Sequence, residues 1–336
     1  MPPIIVRMLD LMNRPGFLVK DGKILHCNSE AKALHISADT PLTSLLGESI
    51  KLYESFHGEI LHMQIFIQEQ PVSATVERLD DHDLFYLEQM RDNAALSALA
   101  MASNQLTMPI TGLMNAPDKD SPQANRLLYQ LHRAVRNMAD ALRYSQDHIP
   151  QLQVQELSAW LAELTEAVAS RTESLGLKVT YQGPGKAAYC PIDEDLLKRA
   201  ILNLISNSVK SGATALELRL TQHTDMLSIT VSDNGAGVPE DLRAQVFDHY
   251  KRQPGLMDSQ YGLGLGMVIV KAAAAAHDGC VLLEHKAEGG LNVTLTLSAG
   301  KQDSLILRSP VMRFDFTGGR DAVLTELADI LPSSEY

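Results

Sequence analysis

Three short stretches in the second half of the chain place amide, carboxylate and glycine residues where they could bind a charged ligand. The first contains Asn203, Asn207 and Lys210, which are spaced i, i+4 and i+7 and therefore share one face of a helix predicted at 194–210. Amide oxygens suit a hydrated Mg²⁺, and a lysine can contact a phosphate as a point charge. Alone, this stretch is not specific, because two asparagines on a helix are commonly ordinary surface residues.

The second stretch is Asp233-Asn-Gly235-Ala-Gly237, which follows an alternating, strand-like segment at 227–232. A carboxylate at a strand end can accept a hydrogen bond from the exocyclic amine of adenine. The glycines let the backbone turn sharply and approach the base without a Cβ in the way. A plain turn is the alternative interpretation, since Asp-Asn-Gly also favours turns.

The third stretch contains Gly262, Gly264 and Gly266 and precedes a predicted helix at 267–277. The backbone N–H groups of such a turn, with a helix N-terminus behind them, can cradle phosphates. A dinucleotide-binding loop of the Rossmann type is excluded, because the glycines alternate instead of following G-x-G-x-x-G and no strand immediately precedes them.

In this order and spacing, the three stretches resemble the N, G1 and G2 boxes of the sensor histidine kinase ATP-binding domain, and 246–252 resembles its F box. The resemblance covers 151–300. It implies an α/β sandwich of the histidine kinase, gyrase and Hsp90 type that binds ATP and Mg²⁺ under a lid at 251–261, with Asn207 on the Mg²⁺ side. The ATP-binding residues that it implies are Asn203, Asn207, Lys210, Asp233, Gly235, Gly237, Gly262, Gly264 and Gly266.

One position separates the branches of that superfamily. Gyrase-like and Hsp90-like hydrolases carry an acidic residue on the first-motif helix that activates water. The matching position here is Asn203, and its amide cannot act as a base at neutral pH. Transfer to a protein group, or nucleotide binding alone, is therefore favoured over hydrolysis.

Two heptad patterns within 91–150 predict a helical hairpin with a polar break at 117–122. The seam residues of both helices are spaced alternately three and four apart. Because one hairpin buries only part of so long an apolar stripe, we expect two copies to form a dimeric four-helix bundle. The seams consist of Leu96, Leu99, Ser103, Leu106, Ile110 and Leu113 in the first helix and Leu128, Leu131, Val135, Met138 and Leu142 in the second.

The first seam helix departs from the family at its reactive position. There the family carries its phosphoacceptor in a phrase like Ser-His-Glu-Leu-Arg-Thr-Pro-Leu, whereas 103–110 reads Ser-Asn-Gln-Leu-Thr-Met-Pro-Ile, with Asn104 at the histidine position. An amide nitrogen is not nucleophilic, because its lone pair is delocalised into the carbonyl, so phosphorylation at Asn104 is excluded. His132 is a second candidate, but no carboxylate follows it, and an exposed helix histidine is the favoured interpretation.

The chain is predicted to be an α+β multidomain protein with regions 1–90, 91–150, 151–300 and 301–336. In 1–90, an Asp21-Gly22 hairpin is followed by short helical pieces and by strands at 60–67, 72–78 and 84–88, an order that resembles a PAS sensor domain. In 301–336, a strand at 312–317 and an amphipathic helix at 320–331 are predicted, either packed on the core or serving as a lid or docking arm.

The composition limits the partners. With 29 basic and 41 acidic residues the net charge is −12, and without a Lys/Arg block the chain is a poor ligand for nucleic acid or an anionic membrane. The uncharged stretch 93–117 is too polar at its centre to span a membrane, and the first residues predict no signal peptide. Three distant cysteines favour a reducing compartment, so we expect a cytoplasmic location.

These features predict a cytoplasmic, homodimeric two-component signalling protein that binds ATP–Mg²⁺, lacks the phosphoacceptor histidine and acts by docking a response regulator or a partner kinase. One alternative is an active protein kinase that phosphorylates His132 or a partner protein. Another is a non-catalytic interaction scaffold whose nucleotide pocket is vestigial.

Overall fold

The computed structural model of the chain describes residues 3–12, 14–79, 81–87, 106, 109–118, 120–144, 150–223, 226–238, 265–299 and 321–336. These residues fall into two units. The first contains the described parts of Met1–Arg91, Val238–Asp248 and Cys280–His285. The second contains those of Asp92–Gly237, His249–Gly279 and Lys286–Tyr336. The domain boundaries at 90, 150 and 300 stay predictions.

The described chain contains both helices and strands. The helices are α1 (Pro3–Asp10), α2 (Ser29–Ala33), α3 (Leu42–Leu46), α4 (Ile50–Ser55), α5 (Pro122–Tyr144), α6 (Leu157–Thr172), α7 (Glu194–Lys210), α8 (Leu265–Ala276) and α9 (Ala322–Glu326). The strands are β1 (Gly16–Lys20), β2 (Lys23–Cys27), β3 (Ile60–Ile67), β4 (Gln70–Arg78), β5 (Asp83–Leu87), β6 (Gln153–Glu156), β7 (Lys178–Gln182), β8 (Tyr189–Ile192), β9 (Ala215–Gln222), β10 (Met226–Asp233), β11 (Val281–His285) and β12 (Leu291–Ser298).

The first unit is built on an antiparallel sheet with the strand order β2-β1-β5-β4-β3-β11. The predicted hairpin is confirmed, because Asp21 and Gly22 have the positive φ values, 49° and 70°, that a tight two-residue turn between twisted strands needs. The rings of Phe17 and Phe85 stack in the core with their centroids 4.7 Å apart, and both side chains are fully buried. Strand β11 was not predicted.

The second unit contains a four-stranded sheet with the order β12-β10-β9-β7, in which only the β7–β9 pair is parallel. Strands β6 and β8 form a separate antiparallel pair. Helices α6, α7 and α8 pack against the larger sheet. This arrangement agrees with the α/β architecture expected for the region.

Helix α7 has the predicted bounds, and its ends explain them. The side chain of Asp193 accepts a hydrogen bond from the Leu196 N–H and caps the first turn, where Glu194 and Asp195 add negative charge. Lys210 lies in the last turn, where a positive charge is favourable. The helix therefore holds the first predicted stretch in a fixed register.

The predicted helix at 320–331 is wrong in length, because α9 ends at Glu326. After Glu326 the N–H groups of Ala328 and Ile330 donate to the carbonyls of Thr325 and Leu327, three residues earlier, as in turns. Pro332 has no N–H, so it cannot donate to the Ala328 carbonyl. The side chains of Arg126 and Gln130 donate to that carbonyl instead, at 3.0 and 3.1 Å. The predicted strand at 312–317 lies outside the described residues.

Helix α5 carries the second predicted seam. Leu128 and Leu131 are half-buried, whereas Val135 is 44% exposed, and Ile110 in the helical residues 109–115 is 42% exposed. Dimerisation through these residues stays a prediction. Among the helices that the structure describes, none is long and apolar enough to cross a bilayer.

The carboxylate of Glu156 caps helix α6. It accepts hydrogen bonds from the N–H groups of Ser158, Ala159 and Ala188, at 3.1, 2.6 and 2.9 Å. Burial acts to raise the pKa of Glu156, but the three donors outweigh it and lower that pKa. A lowered folded-state pKa means that the stabilisation is present above the unfolded value of about 4.3 and is lost as the pH falls.

We expect Glu156→Ala to lower the free energy of unfolding by about 1–2 kcal/mol at pH 7, because the cap is lost. The difference from wild type should shrink as the pH falls below about 4. Urea unfolding followed by circular dichroism measures both. Glu163→Ala, an exposed position in the middle of α6, is the matched control and should stay within about 0.5 kcal/mol of wild type. Equal losses in the two variants would contradict the cap.

Candidate functional site

Helix α7 presents the first stretch in three different environments. Asn203 is buried, Lys210 is half-buried and Asn207 is exposed. The Oδ1 atom of Asn203 accepts a hydrogen bond from Nη2 of Arg133 at 2.9 Å, and its Nδ2 donates to the backbone oxygen of Arg199 at 2.8 Å. The two asparagines therefore do not form the predicted row of amide oxygens. Asn207 is exposed, whereas the amide oxygen of Asn203 accepts a hydrogen bond from the guanidinium of Arg133.

The second stretch begins at the buried end of β10, where Asp233 is 5% exposed. Its Oδ2 accepts a hydrogen bond from the hydroxyl of Ser208 at 2.7 Å. Its Oδ1 accepts from the N–H groups of Gly235 and Leu291, at 2.9 and 3.2 Å. Since Ser208 follows Asn207 on α7, this hydrogen bond joins the second stretch to the first.

The Asp233 carboxylate retains capacity for a ligand. An ionised carboxylate has about four acceptor positions, and the described residues supply three donors to it. One acceptor position therefore remains for a donor such as the amine of adenine. Lys286 donates to the backbone oxygen of Asp233 at 2.9 Å, which holds the strand end without using the carboxylate.

Gly266 brings the third stretch against the first. A Cβ at this position would lie 2.9 Å from Oδ1 of Asn203, so the start of α8 approaches α7 as closely as only glycine allows. Gly235 has a similar role, since its Cβ would lie 2.3 Å from Oγ of Ser211. The described members of the three stretches therefore meet around α7. Asn104, Gly262 and Gly264 lie outside the described residues.

Gly290, which the sequence interpretation missed, fixes the backbone beside Asp233. Its φ is +99°, and a Cβ would lie 2.1 Å from the Asp233 carbonyl oxygen. The neighbouring Gly289 has a similar φ of +90° but faces open space. A Gly-Gly pair before a strand was the only signal in the sequence, and it indicates a turn without revealing this contact.

A cluster of charged residues lies beside Asn203 and Lys210. Glu326, which is fully buried, accepts hydrogen bonds from Nε of Arg199 at 2.9 Å and from Nε of Arg133 at 3.3 Å. Asp329 accepts from Nζ of Lys210 at 2.9 Å and from Nη1 of Arg133 at 2.5 Å. The three cations thus hold two carboxylates from the segment 321–336.

Charge explains the ionisation of Asp329. Burial acts to raise its pKa, but the positive charges of Arg133 and Lys210 outweigh that effect and lower the pKa to about 2. The side chain is therefore a carboxylate at neutral pH. The spacing of Glu326 and Asp329, three residues apart on a predicted helix, was the available signal for this cluster, and it does not identify the cations.

His132 lies on α5 directly before Arg133 and is half-buried. A phosphoacceptor role for this histidine stays a prediction.

The comparison with family models gives one match. Residues 192–301 match the model of the histidine kinase-, DNA gyrase B- and HSP90-like ATPase family. This range contains α7, β10 and α8, and with them every ATP-binding residue that the sequence resemblance implied.

Curated relatives are named as sensor kinases. The sensor-type histidine kinase PrrB of Mycobacterium leprae is 39% identical over 104 residues, which is 31% of this chain and 23% of PrrB. The adaptive-response sensory kinase SasA of Crocosphaera subtropica is 26% identical over 246 residues, or 64% of this chain and 63% of SasA. The sensor histidine kinase CpxA of Escherichia coli is 26% identical over 61% of this chain and 47% of CpxA. The chain thus spans less than two thirds of the length of these relatives.

Solved structures give matches of low structural similarity. The ATP-binding domain of PrrB from Mycobacterium tuberculosis is 25% identical, with a TM-score of 0.36, over 45% of this chain and 99% of that one. The histidine kinase ThkA, solved in complex with the response regulator TrrA, is 14% identical, with a TM-score of 0.46, over 87% of this chain and 97% of that one.

We expect Gly290→Ala to lower the free energy of unfolding by about 1–3 kcal/mol more than Gly289→Ala, because only the first adds a clash with the Asp233 backbone to the cost of a positive φ. Urea unfolding of the two variants measures the difference. A nucleotide titration should show that only Gly290→Ala weakens binding. Equal behaviour of the two variants would contradict the tight contact at Asp233.

Proposed function

We propose that this chain, whose residues 192–301 form an ATP-binding domain of the histidine kinase-, DNA gyrase B- and HSP90-like ATPase family, is a signalling protein that binds ATP–Mg²⁺ without being phosphorylated at residue 104. It is a cytoplasmic homodimer of the two-component type and acts by docking a response regulator or a partner kinase. The observation that carries the proposal is the buried carboxylate of Asp233 inside the family-matched region, whose donors among the described residues fill three of about four acceptor positions.

Asp233 provides adenine recognition in this proposal. Its carboxylate accepts the exocyclic amine, while the hydroxyl of Ser208 and two backbone N–H groups hold the carboxylate in one orientation. The phosphates are held by Lys210 and by the backbone around Gly262, Gly264 and Gly266. Asn207 lies on the Mg²⁺ side, and its exposure suits an ion that keeps part of its hydration shell.

The same residues argue against turnover. Asn203 stands at the position of the water-activating acid of the hydrolases, and its amide is engaged by Arg133. Asn104 cannot accept a phosphoryl group, because an amide nitrogen is not a nucleophile. A nucleotide that is neither hydrolysed nor transferred to residue 104 acts by changing the conformation that a partner protein binds.

The two remaining regions provide dimerisation and the sensing of a signal. Residues 91–150 form the dimerising hairpin, and the exposure of Val135 and Ile110 supports a contact with a second copy. Residues 1–90 form a PAS-like sensor unit, for which the strand order of the first unit is the support.

We expect Asp233→Asn to weaken ATP–Mg²⁺ binding by about tenfold to a hundredfold, because a neutral amide replaces a charge-assisted acceptor and can present a donor to the adenine amine. Calorimetry on the folded variant measures the affinity. GTP should bind poorly to wild type, because its carbonyl would face the carboxylate.

Asp278→Asn is the matched control for this variant. It removes the same charge by the same substitution at an exposed residue whose positive φ of 51° asparagine tolerates. It should bind ATP–Mg²⁺ like wild type. Unchanged affinity in Asp233→Asn would remove Asp233 from the nucleotide site.

Incubation with γ-labelled ATP–Mg²⁺ tests the absence of phosphorylation. We expect no stable label on the chain, because Asn104 is not nucleophilic. Acid-labile label that disappears in His132→Ala, and persists in the control His223→Ala, would show that the chain is an active kinase and would overturn this part of the proposal. His223 is an exposed histidine of the same unit.

A further inference from the structure

Segment 321–336 lies on residues that the proposed function assigns to the phosphate side of the nucleotide site. Asp329 receives a hydrogen bond from Lys210, the lysine expected to contact a phosphate. Glu326 and Asp329 both receive hydrogen bonds from Arg133, whose third contact is Asn203. Two carboxylates of the chain therefore occupy the kind of cationic surroundings that a polyphosphate requires.

Apolar contacts fix the segment in this position. Leu327, Ala328 and Leu331 are fully buried. Arg126 and Gln130 on α5 donate to the Ala328 carbonyl. The segment is thus held both by its buried apolar side chains and by the ion pairs of its carboxylates.

Electrostatics sets the segment and a nucleotide in competition for the same cations. Glu326 and Asp329 balance two of the three charges carried by Arg133, Arg199 and Lys210. A triphosphate brought to Lys210 would lie next to the Asp329 carboxylate, which is 2.9 Å from the same ammonium. The Asp329 side chain is 38% exposed, and two like charges about 4 Å apart near a protein surface repel by about 1–4 kcal/mol, which favours the departure of one of the two anions.

We propose that segment 321–336 is an intramolecular competitor of the nucleotide, whose carboxylates occupy the phosphate side of the site until ATP–Mg²⁺ displaces them. This inference rests on the proposed function. It has a direct consequence for affinity, since a segment docked in nine of ten molecules lowers the apparent affinity for ATP about tenfold.

Displacement also changes what α5 contacts. Arg133 lies on α5 and bridges Asn203 on α7 to both carboxylates of the segment. When the carboxylates leave, two of these contacts are lost together. Nucleotide binding is thereby coupled to the helix that the proposed function assigns to dimerisation.

The first test compares Asp329→Asn with Glu335→Gln by calorimetry with ATP–Mg²⁺. Both variants remove one negative charge from the same segment, but of these two carboxylates only Asp329 is bonded to Lys210 and Arg133 among the described residues. We expect Asp329→Asn to bind about tenfold more tightly than wild type and Glu335→Gln to stay within about twofold. Unchanged or weaker binding in a folded Asp329→Asn would overturn the competition.

The second test uses wild type and therefore does not depend on a variant that folds. Amide hydrogen exchange of residues 322–331 is measured without ligand, with ATP–Mg²⁺ and with inorganic tripolyphosphate–Mg²⁺. We expect exchange to rise at least several-fold with both ligands, because the phosphates alone displace the carboxylates. Binding of ATP with unchanged or slower exchange would overturn this inference and leave the proposed function standing. Absence of ATP binding in both wild type and Asp329→Asn would overturn both.

Discussion

The second unit depends on a buried carboxylate held between two guanidinium groups. Glu326 is fully buried, and the hydrogen bonds from Arg199 and Arg133, with a longer one of 3.5 Å from Asn203, offset the large cost of removing its charge from water. Removing one partner would leave an uncompensated charge in the interior, which typically costs about 3–5 kcal/mol. Because the two arginines and Glu326 belong to α7, α5 and the segment 321–336, this interaction fixes the positions of all three elements.

Asp233 solves the problem of a buried carboxylate in a different way. Its donors among the described residues are a hydroxyl and two backbone N–H groups, with no cation directly on the carboxylate. Such donors orient the oxygens without saturating them. The ion pairs of Glu326 thus stabilise the fold, whereas the carboxylate of Asp233 is oriented to accept a further hydrogen bond. Both depend on α7, which contributes Arg199 to one carboxylate and Ser208 to the other.

Local features were predictable, and long-range contacts were not. The bounds of α7 and β3 were predicted as the structure has them, because a helical pattern or an apolar strand-like run is set by residues within a few positions of each other. The end of α9 at Glu326 was not predicted, because Pro332 is equally compatible with a helix that ends at 331. Among the long-range contacts, Arg133 and Asn203 are 70 residues apart, and Arg199 and Glu326 are 127 apart. A buried ion pair has no periodicity, so no spacing in the sequence indicates which cation meets which carboxylate.

The contacts of Arg133 bear on how a nucleotide could signal without turnover. A ligand shifts a conformational equilibrium only by its difference in affinity for the two states. The adenine side, built on Asp233 and Ser208, receives no hydrogen bond from segment 321–336 among the described residues, so we expect it to supply affinity but no such difference. The phosphate side does supply one in the proposed mechanism, because Lys210 and Arg133 are bonded to Asp329 in the structure and the displacement would release them. In the proposed function, therefore, the adenine contacts determine which nucleotide binds, and the phosphate contacts change the conformation. Such a change requires a nucleotide whose phosphates stay intact, and this agrees with the absence of a nucleophile at residue 104.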